Sequence, residues 1–126
     1  MKSTNPKDVA AKNRVRLDLM PGPAAVAICQ ALQNGVDKGY GAFNWRNVPV
    51  QASNYLAAAE RHIKAWQDGE EFAPDSSVHH LGHAAASLAI LMDALACDTL
   101  IDDRPPKGPT AALLAEASGL QKPCPE

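Results

Sequence analysis

Apolar residues recur at helical rather than alternating spacing along this chain, and four stretches carry the pattern. In the first, Ala24 to Val36, the residues Val26, Ala27, Ala31 and Leu32 follow a Pro21-Gly22-Pro23 turn. Proline suits that entry because its fixed φ is already helical. The second runs from Pro49 or later to Asp68, with Tyr55, Leu56, Ala59, Ile63 and Trp66 forming one stripe and Gly69 available as the C-terminal stop. The third has Ser76 or Ser77 available as N-cap, then Leu81, Ala84, Ala85, Leu88, Met92 and Leu95 at helical spacing. His80, His83 and Ser87 fall along a neighbouring face. A short fourth helix is predicted from Thr110 to Ser118, ending at Gly119 before a tail containing Pro123 and Pro125. No strand pattern and no internal repeat is visible. Met1 to Asn13 is polar and aperiodic, which predicts a flexible N-terminal arm (1–13) ahead of one helical domain (14–126).

Composition changes this picture in one respect. Twenty-three residues are alanine and only six are aromatic, so much of the apolar content is small. Small side chains let helices approach closely but bury little area each, and oligomerisation is the natural remedy. The net charge of -2 and the absence of a long Lys/Arg run disfavour nucleic-acid binding. No segment approaches the roughly 20 apolar residues of a membrane span. Cys29, Cys97 and Cys124 lack a CxxC spacing and the first 20 residues hold no apolar signal core, so a reduced, cytoplasmic setting is expected.

Two segments carry candidate chemistry. In Glu70-Glu71-Phe72-Ala73-Pro74-Asp75-Ser76-Ser77-Val78-His79-His80-Leu81-Gly82-His83, loop acids run into a histidine-bearing helix. If the helices on either side are antiparallel neighbours, His62, Glu70, Asp75, His80 and His83 converge. Carboxylates suit Mg²⁺ or Mn²⁺ on phosphate oxygens, whereas imidazoles favour Zn²⁺ or another transition metal, and the residues leave that choice open. Each also has a simpler reading: His62 as a hydrogen-bonded boundary residue, His80 and His83 as solvent-facing polar positions near a helix start, Glu70 and Glu71 as a solvated turn, Asp75 as a helix cap. The second segment, Asn34 to Trp45, is rich in glycine and reads as a loop. Its Lys38, Tyr40, Asn44 and Trp45 offer an ammonium for phosphate, an amide for a base edge and aromatic faces for stacking.

Several short motifs then stand in a telling order: Arg16-Leu17-Asp18-Leu19, Lys38-Gly39-Tyr40-Gly41 with Asn44-Trp45, Arg61-His62 with Ala65-Trp66, Gly69-Glu70-Glu71, His80-Leu81-Gly82-His83-Ala84-Ala85 and Asp102-Asp103-Arg104-Pro105. Over roughly Arg16 to Pro105 the chain resembles the MazZ-like phage dATP/dGTP diphosphohydrolases, within the MazG and HisE-like superfamily of all-α nucleotide pyrophosphohydrolases. The resemblance implies a small all-α bundle of about four helices, forming a homodimer or homotetramer. It implies metal-dependent cleavage of a purine deoxynucleoside triphosphate between the α and β phosphates, with Mg²⁺ or Mn²⁺ as cofactor. It further implies a phage setting, in the host cytoplasm, where the deoxyguanylate product feeds replacement of adenine by 2-aminoadenine in DNA. MazG-type enzymes carry Glu-x-x-Glu on one helix and Glu-x-x-Asp on the next, and neither motif stands here. His80-Leu81-Gly82-His83 occupies the place of the second pair, and the region of Ala59 and His62 that of the first.

The expected roles follow. Glu70, Glu60 and His62 are candidates for activating water. Glu70, Glu71, Asp75, His80 and His83 are candidates for holding metal. Lys38, Tyr40, Asn44, Trp45 and Arg61 are candidates for binding substrate. Two rivals are a histidine-aspartate phosphohydrolase, disfavoured because no His-Asp dipeptide occurs, and a noncatalytic helical module with a structural zinc site binding nucleotide or protein.

Overall fold

In the computed structural model, residues 4–119 are described; the Pro123/Pro125 tail and Cys124 lie outside them. Five α-helices account for the architecture among these residues: α1 (Pro6–Ala11), α2 (Gly22–Asp37), α3 (Ala52–Gln67), α4 (His80–Ala96) and α5 (Thr110–Ala117). The fold is all-α, as the hydrophobic spacing predicts. Helix α4 is central, packing against both α3 and α2. The aperiodic N-terminal stretch contains a helical turn, α1, because Asn5 caps it through Lys7 N–H and Pro6 begins it.

The packed faces differ from those the large apolar residues mark out. On α3, Ala52 and Ala59 are buried with Tyr55, Ala58, His62 and Ala65 partly covered, while Leu56, Ile63 and Trp66 remain exposed. On α4 the buried residues are His80, Gly82, Ala84, Ala86 and Ala94, and the predicted stripe of Leu81, Leu88, Met92 and Leu95 faces out. The reason is interaxial distance. A Cβ built on Gly82 would lie 2.6 Å from the Ala27 carbonyl oxygen of α2, an approach that only a residue without a side chain permits. Helices this close meet through small residues, and bulky ones are turned aside.

Element boundaries shift for identifiable reasons. Helix α4 begins at His80, not after Ser76 or Ser77, because those serines lie in a turn. Ser77 N–H donates to the Ala73 carbonyl, Ser77 itself is left-handed (φ 62°), and Ala73 N–H donates to the Val78 carbonyl. The N-cap is His79, whose Nδ1 accepts from Leu81 N–H at 3.0 Å. Asn34 to Val36, which the predicted first helix and the glycine-rich segment both include, form the last turn of α2 together with Asp37, and a 3-10 turn occupies Asn44–Arg46.

Two short strands also escape the pattern: β1 (Val50–Gln51) and β2 (Leu100–Ile101) pair in parallel, Val50 opposite Leu100. Two residues are too few to show alternation. Beside them, Asp103 caps α3 from a distance, its Oδ1 accepting from Ser53 N–H at 2.8 Å while Oδ2 accepts from the Ser53 hydroxyl. This gives Asp102-Asp103-Arg104 a structural meaning, with Arg104 closing back on Asp102 at 2.7 Å.

Candidate functional site

A cleft of about 560 Å³ lies between the C-terminal half of α2, the loop after it, α3 and α4. That volume suits a nucleotide-sized ligand. Lys38, Tyr40, Asn44, Trp45 and Arg61, the five candidates for substrate contact, all line it. His62, His83 and Asp75 line it as well. Glu60 and Glu71 do not, and Glu70 and His80 stand behind His62 rather than in the wall. Asn34, Tyr55 and Ser87 also line it, although no role was assigned to them from sequence. Their signal was periodicity: Tyr55 and His62 are seven apart on α3, and His83 and Ser87 four apart on α4.

The aromatic wall is fixed by a carboxylate on α4. Asp93 Oδ2 accepts from the Trp45 indole N–H at 2.6 Å and from Arg46 Nε at 2.8 Å, while Oδ1 accepts from Arg46 Nη2 at 3.0 Å. Arg46, then Trp45, hold the Asp93 carboxyl down at about 2. The Arg46 guanidinium also lies 4.5 Å over the Phe43 ring, and Phe43 itself is left-handed at φ 54°. Such a backbone needs surrounding contacts to persist. Asp93 carries no motif signature, so sequence reasoning missed it.

Opposite this wall three imidazoles cluster. His62 and His83 stack with centroids 4.5 Å apart and planes 14° apart, and the Nδ1 atoms of His62 and His80 lie 2.8 Å apart. His80 Nε2 reaches Glu70 Oε1 at 2.7 Å, and His83 Nε2 reaches the Ser76 hydroxyl at 2.7 Å. Burial lowers the His62 pKa first, then the neighbouring His83 and His80, with Arg61 adding and Asp75 opposing. Burial likewise lowers that of His83, with Lys38 and His80 acting in the same direction and Asp75 against. Both rings are therefore neutral at neutral pH, the form that accepts protons.

Among the described residues no group of three or more His, Cys, Asp or Glu side chains is arranged to hold a metal ion. Four of the six imidazole nitrogens are engaged: His62 Nδ1 with His80 Nδ1, His80 Nε2 with Glu70, and His83 Nε2 with Ser76. Glu71 is turned away, accepting from the Trp66 indole N–H at 3.2 Å and pairing with His79 Nε2 at 2.9 Å.

Fold and site together define a small helical protein with a cation-lined, histidine-backed cleft. Residues 4–104 match the family described as dATP/dGTP diphosphohydrolase, N-terminal, and the chain belongs to that family. The family name specifies a hydrolase acting on purine deoxynucleotides. No curated protein and no solved structure matches the chain. No helix among the described residues is long and apolar enough to cross a membrane.

Proposed function

We propose that this chain hydrolyses dGTP, dATP or both to the monophosphate and pyrophosphate, with the reaction centred on His62. The observation that carries this reading is the convergence, in one cleft, of two cations (Lys38, Arg61), two neutral imidazoles (His62, His83) and a pinned indole (Trp45). Lys38 and Arg61 offset phosphate charge, Trp45 and Tyr40 present faces to the base, and Asn44 offers an amide to base or sugar. Of the three candidates for activating water, neither Glu60 nor Glu70 lines the cleft, and Glu70 is engaged by His80, which leaves His62. Water gives a proton to His62 while its oxygen bonds to the α-phosphorus, and the bridging P–O bond breaks to release pyrophosphate.

Mg²⁺ or Mn²⁺ is proposed to arrive as part of the substrate, neutralising the triphosphate to which it is bound. The resemblance noted from sequence supports dGTP as the first substrate to test, and supports a phage pathway, in the host cytoplasm, leading to 2-aminoadenine DNA. The proposal includes a homodimer or homotetramer, supported by the exposed apolar faces of α3 and α4. The alternative of a noncatalytic module with structural zinc lacks a ligand set among the described residues.

The test is product analysis across deoxy- and ribonucleoside triphosphates with Mg²⁺ or Mn²⁺ present. Pyrophosphate and a purine deoxynucleoside monophosphate are the expected products. Inorganic phosphate, a nucleoside plus triphosphate, or no turnover would sink the reading.

A further inference from the structure

We propose that Asp93 is a positioning residue that sets the purine preference of the cleft through the Trp45 indole, without touching the nucleotide itself. The inference rests on the reading of the cleft as a site for purine deoxynucleoside triphosphates, and deepens it by assigning a specificity role to a residue outside the lining.

The geometry builds from the turn that carries Trp45. Phe43 is left-handed, and the 3-10 turn Asn44–Arg46 after it is closed by Arg46 N–H donating to the Phe43 carbonyl at 2.9 Å and Asn47 N–H to the Asn44 carbonyl at 3.0 Å. One such turn is a poor platform for a large side chain, because its hydrogen bonds are few and imperfectly aligned. The fixed point lies on α4. Ser87 and Ile90 of that helix line the cleft, and Asp93 stands three residues past Ile90, outside the lining. Phe43 and Arg46 are outside it as well. The groups that hold Trp45 are thus distinct from those that meet a ligand.

The direction of the central bond is unambiguous. An indole N–H only donates and, with its carboxyl held down at about 2, Asp93 only accepts at neutral pH. Tryptophan has a broad, roughly two-fold choice at χ2, and aiming Nε1 at Asp93 Oδ2, 2.6 Å away, selects between the two. Phe43 leans on the same ring, with centroids 5.5 Å apart and planes tilted by 53°. Arg46 grips both carboxylate oxygens, which fixes Asp93 in turn and offsets a negative charge that would otherwise repel a triphosphate. Trp45 is thereby a fixed aromatic wall with a charge-balanced backing. Stacking grows with ring overlap, so a purine gains more from a wall held in place than a pyrimidine does, and a loosened indole gives up most of that difference.

The test is steady-state kinetics of the full chain on dGTP with Mg²⁺, with dCTP read as substrate or as competitive inhibitor. Asp93→Ala should raise KM for dGTP by about tenfold, the scale of one base–aromatic stack, with kcat little changed and dCTP affected less. Asp93→Asn, isosteric and still an acceptor for the indole, should move both values in the same direction by less. Trp45→Phe keeps an aromatic ring but has no N–H, so adding Asp93→Ala to it should change KM by less than about twofold, since both residues act through one bond. An unchanged dGTP-over-dCTP preference in every folded Asp93 variant overturns the assignment. So do Asp93→Ala and Trp45→Phe losses that multiply, or a fall in kcat at constant KM. Absence of wild-type turnover would instead defeat the hydrolytic reading. Equilibrium dialysis of dGTP then decides the role of Asp93: a tenfold weaker Kd in Asp93→Ala supports it, and equal Kd values or no binding overturn it.

Discussion

His62 and His83 are neutral in the folded chain because the cleft shields them from water and surrounds them with positive or like groups, and that has a consequence for stability. Both have folded pKa values below the ordinary 6.5, so as pH falls through that value the unfolded chain takes up protons before the folded one does. Their contribution is complete above pH 6.5 and is lost as pH falls through the folded values. Denaturant titrations from pH 7.5 to 5 should therefore show the unfolding free energy falling toward acid, with a shallower slope in His62→Gln; identical slopes would remove His62 as a source. At this scale the sequence was informative where chemistry-bearing residues cluster. Lys38 and Trp45 were visible as residue types in a glycine-rich loop, and Arg61 and His62 as polar residues within a predicted amphipathic helix. The split between His83 in the wall and His80 behind it was not, since spacing puts both on one face and only packing decides which meets His62. Asp93 was hidden for another reason: a single acid on an apolar helix looks the same whether it faces solvent or holds an indole.

The helices show where patterning succeeds and where it misleads. Their existence and approximate extent follow from 3.6-residue periodicity, but their inward faces follow from side-chain size. Leu81, Leu88, Met92 and Leu95 mark a stripe that any hydrophobic reading turns inward, yet α4 packs on alanine and glycine. Gly82 is the deciding contact. Gly82→Ala places a methyl group against the Ala27 backbone, where nothing flexible can yield, so α2 and α4 must separate. Overpacking of this kind costs about 1–3 kcal/mol, and a Tm lowered by several degrees is expected in thermal unfolding followed by circular dichroism. A Tm at or above that of the wild type would show that the contact is looser than described. Asp103 and the β1–β2 pair were illegible for a related reason: each is a contact across about fifty residues, and local propensity carries no information about such partners.

The whole molecule exposes more large apolar side chains than it covers. Among the described residues no large side chain is fully buried, and Met92 and Leu95 are 66% and 69% exposed. Apolar surface of this extent is the observation behind the proposed association. The proposed homo-oligomer predicts that sedimentation at micromolar concentration gives a mass at least twice 13.3 kDa. Met92→Glu combined with Leu95→Glu should reduce it to one chain. A monomeric wild type would overturn the proposal. The scarcity of aromatic residues beside abundant alanine already pointed this way, because a chain that meets itself through small residues has large ones left over.

The parallel pairing of Val50 with Leu100 joins the two ends of the segment that holds α3, the acidic turn and α4. That segment is thereby a closed circuit, and Gln51 passes from the strand directly into the first turn of α3. Opening of the strand pair loosens the entry to α3 and the stretch that follows α4 together. The three rings should consequently gain or lose their mutual alignment as a set, and amide hydrogen exchange at Val50 should report the same opening event as exchange in the middle of α4.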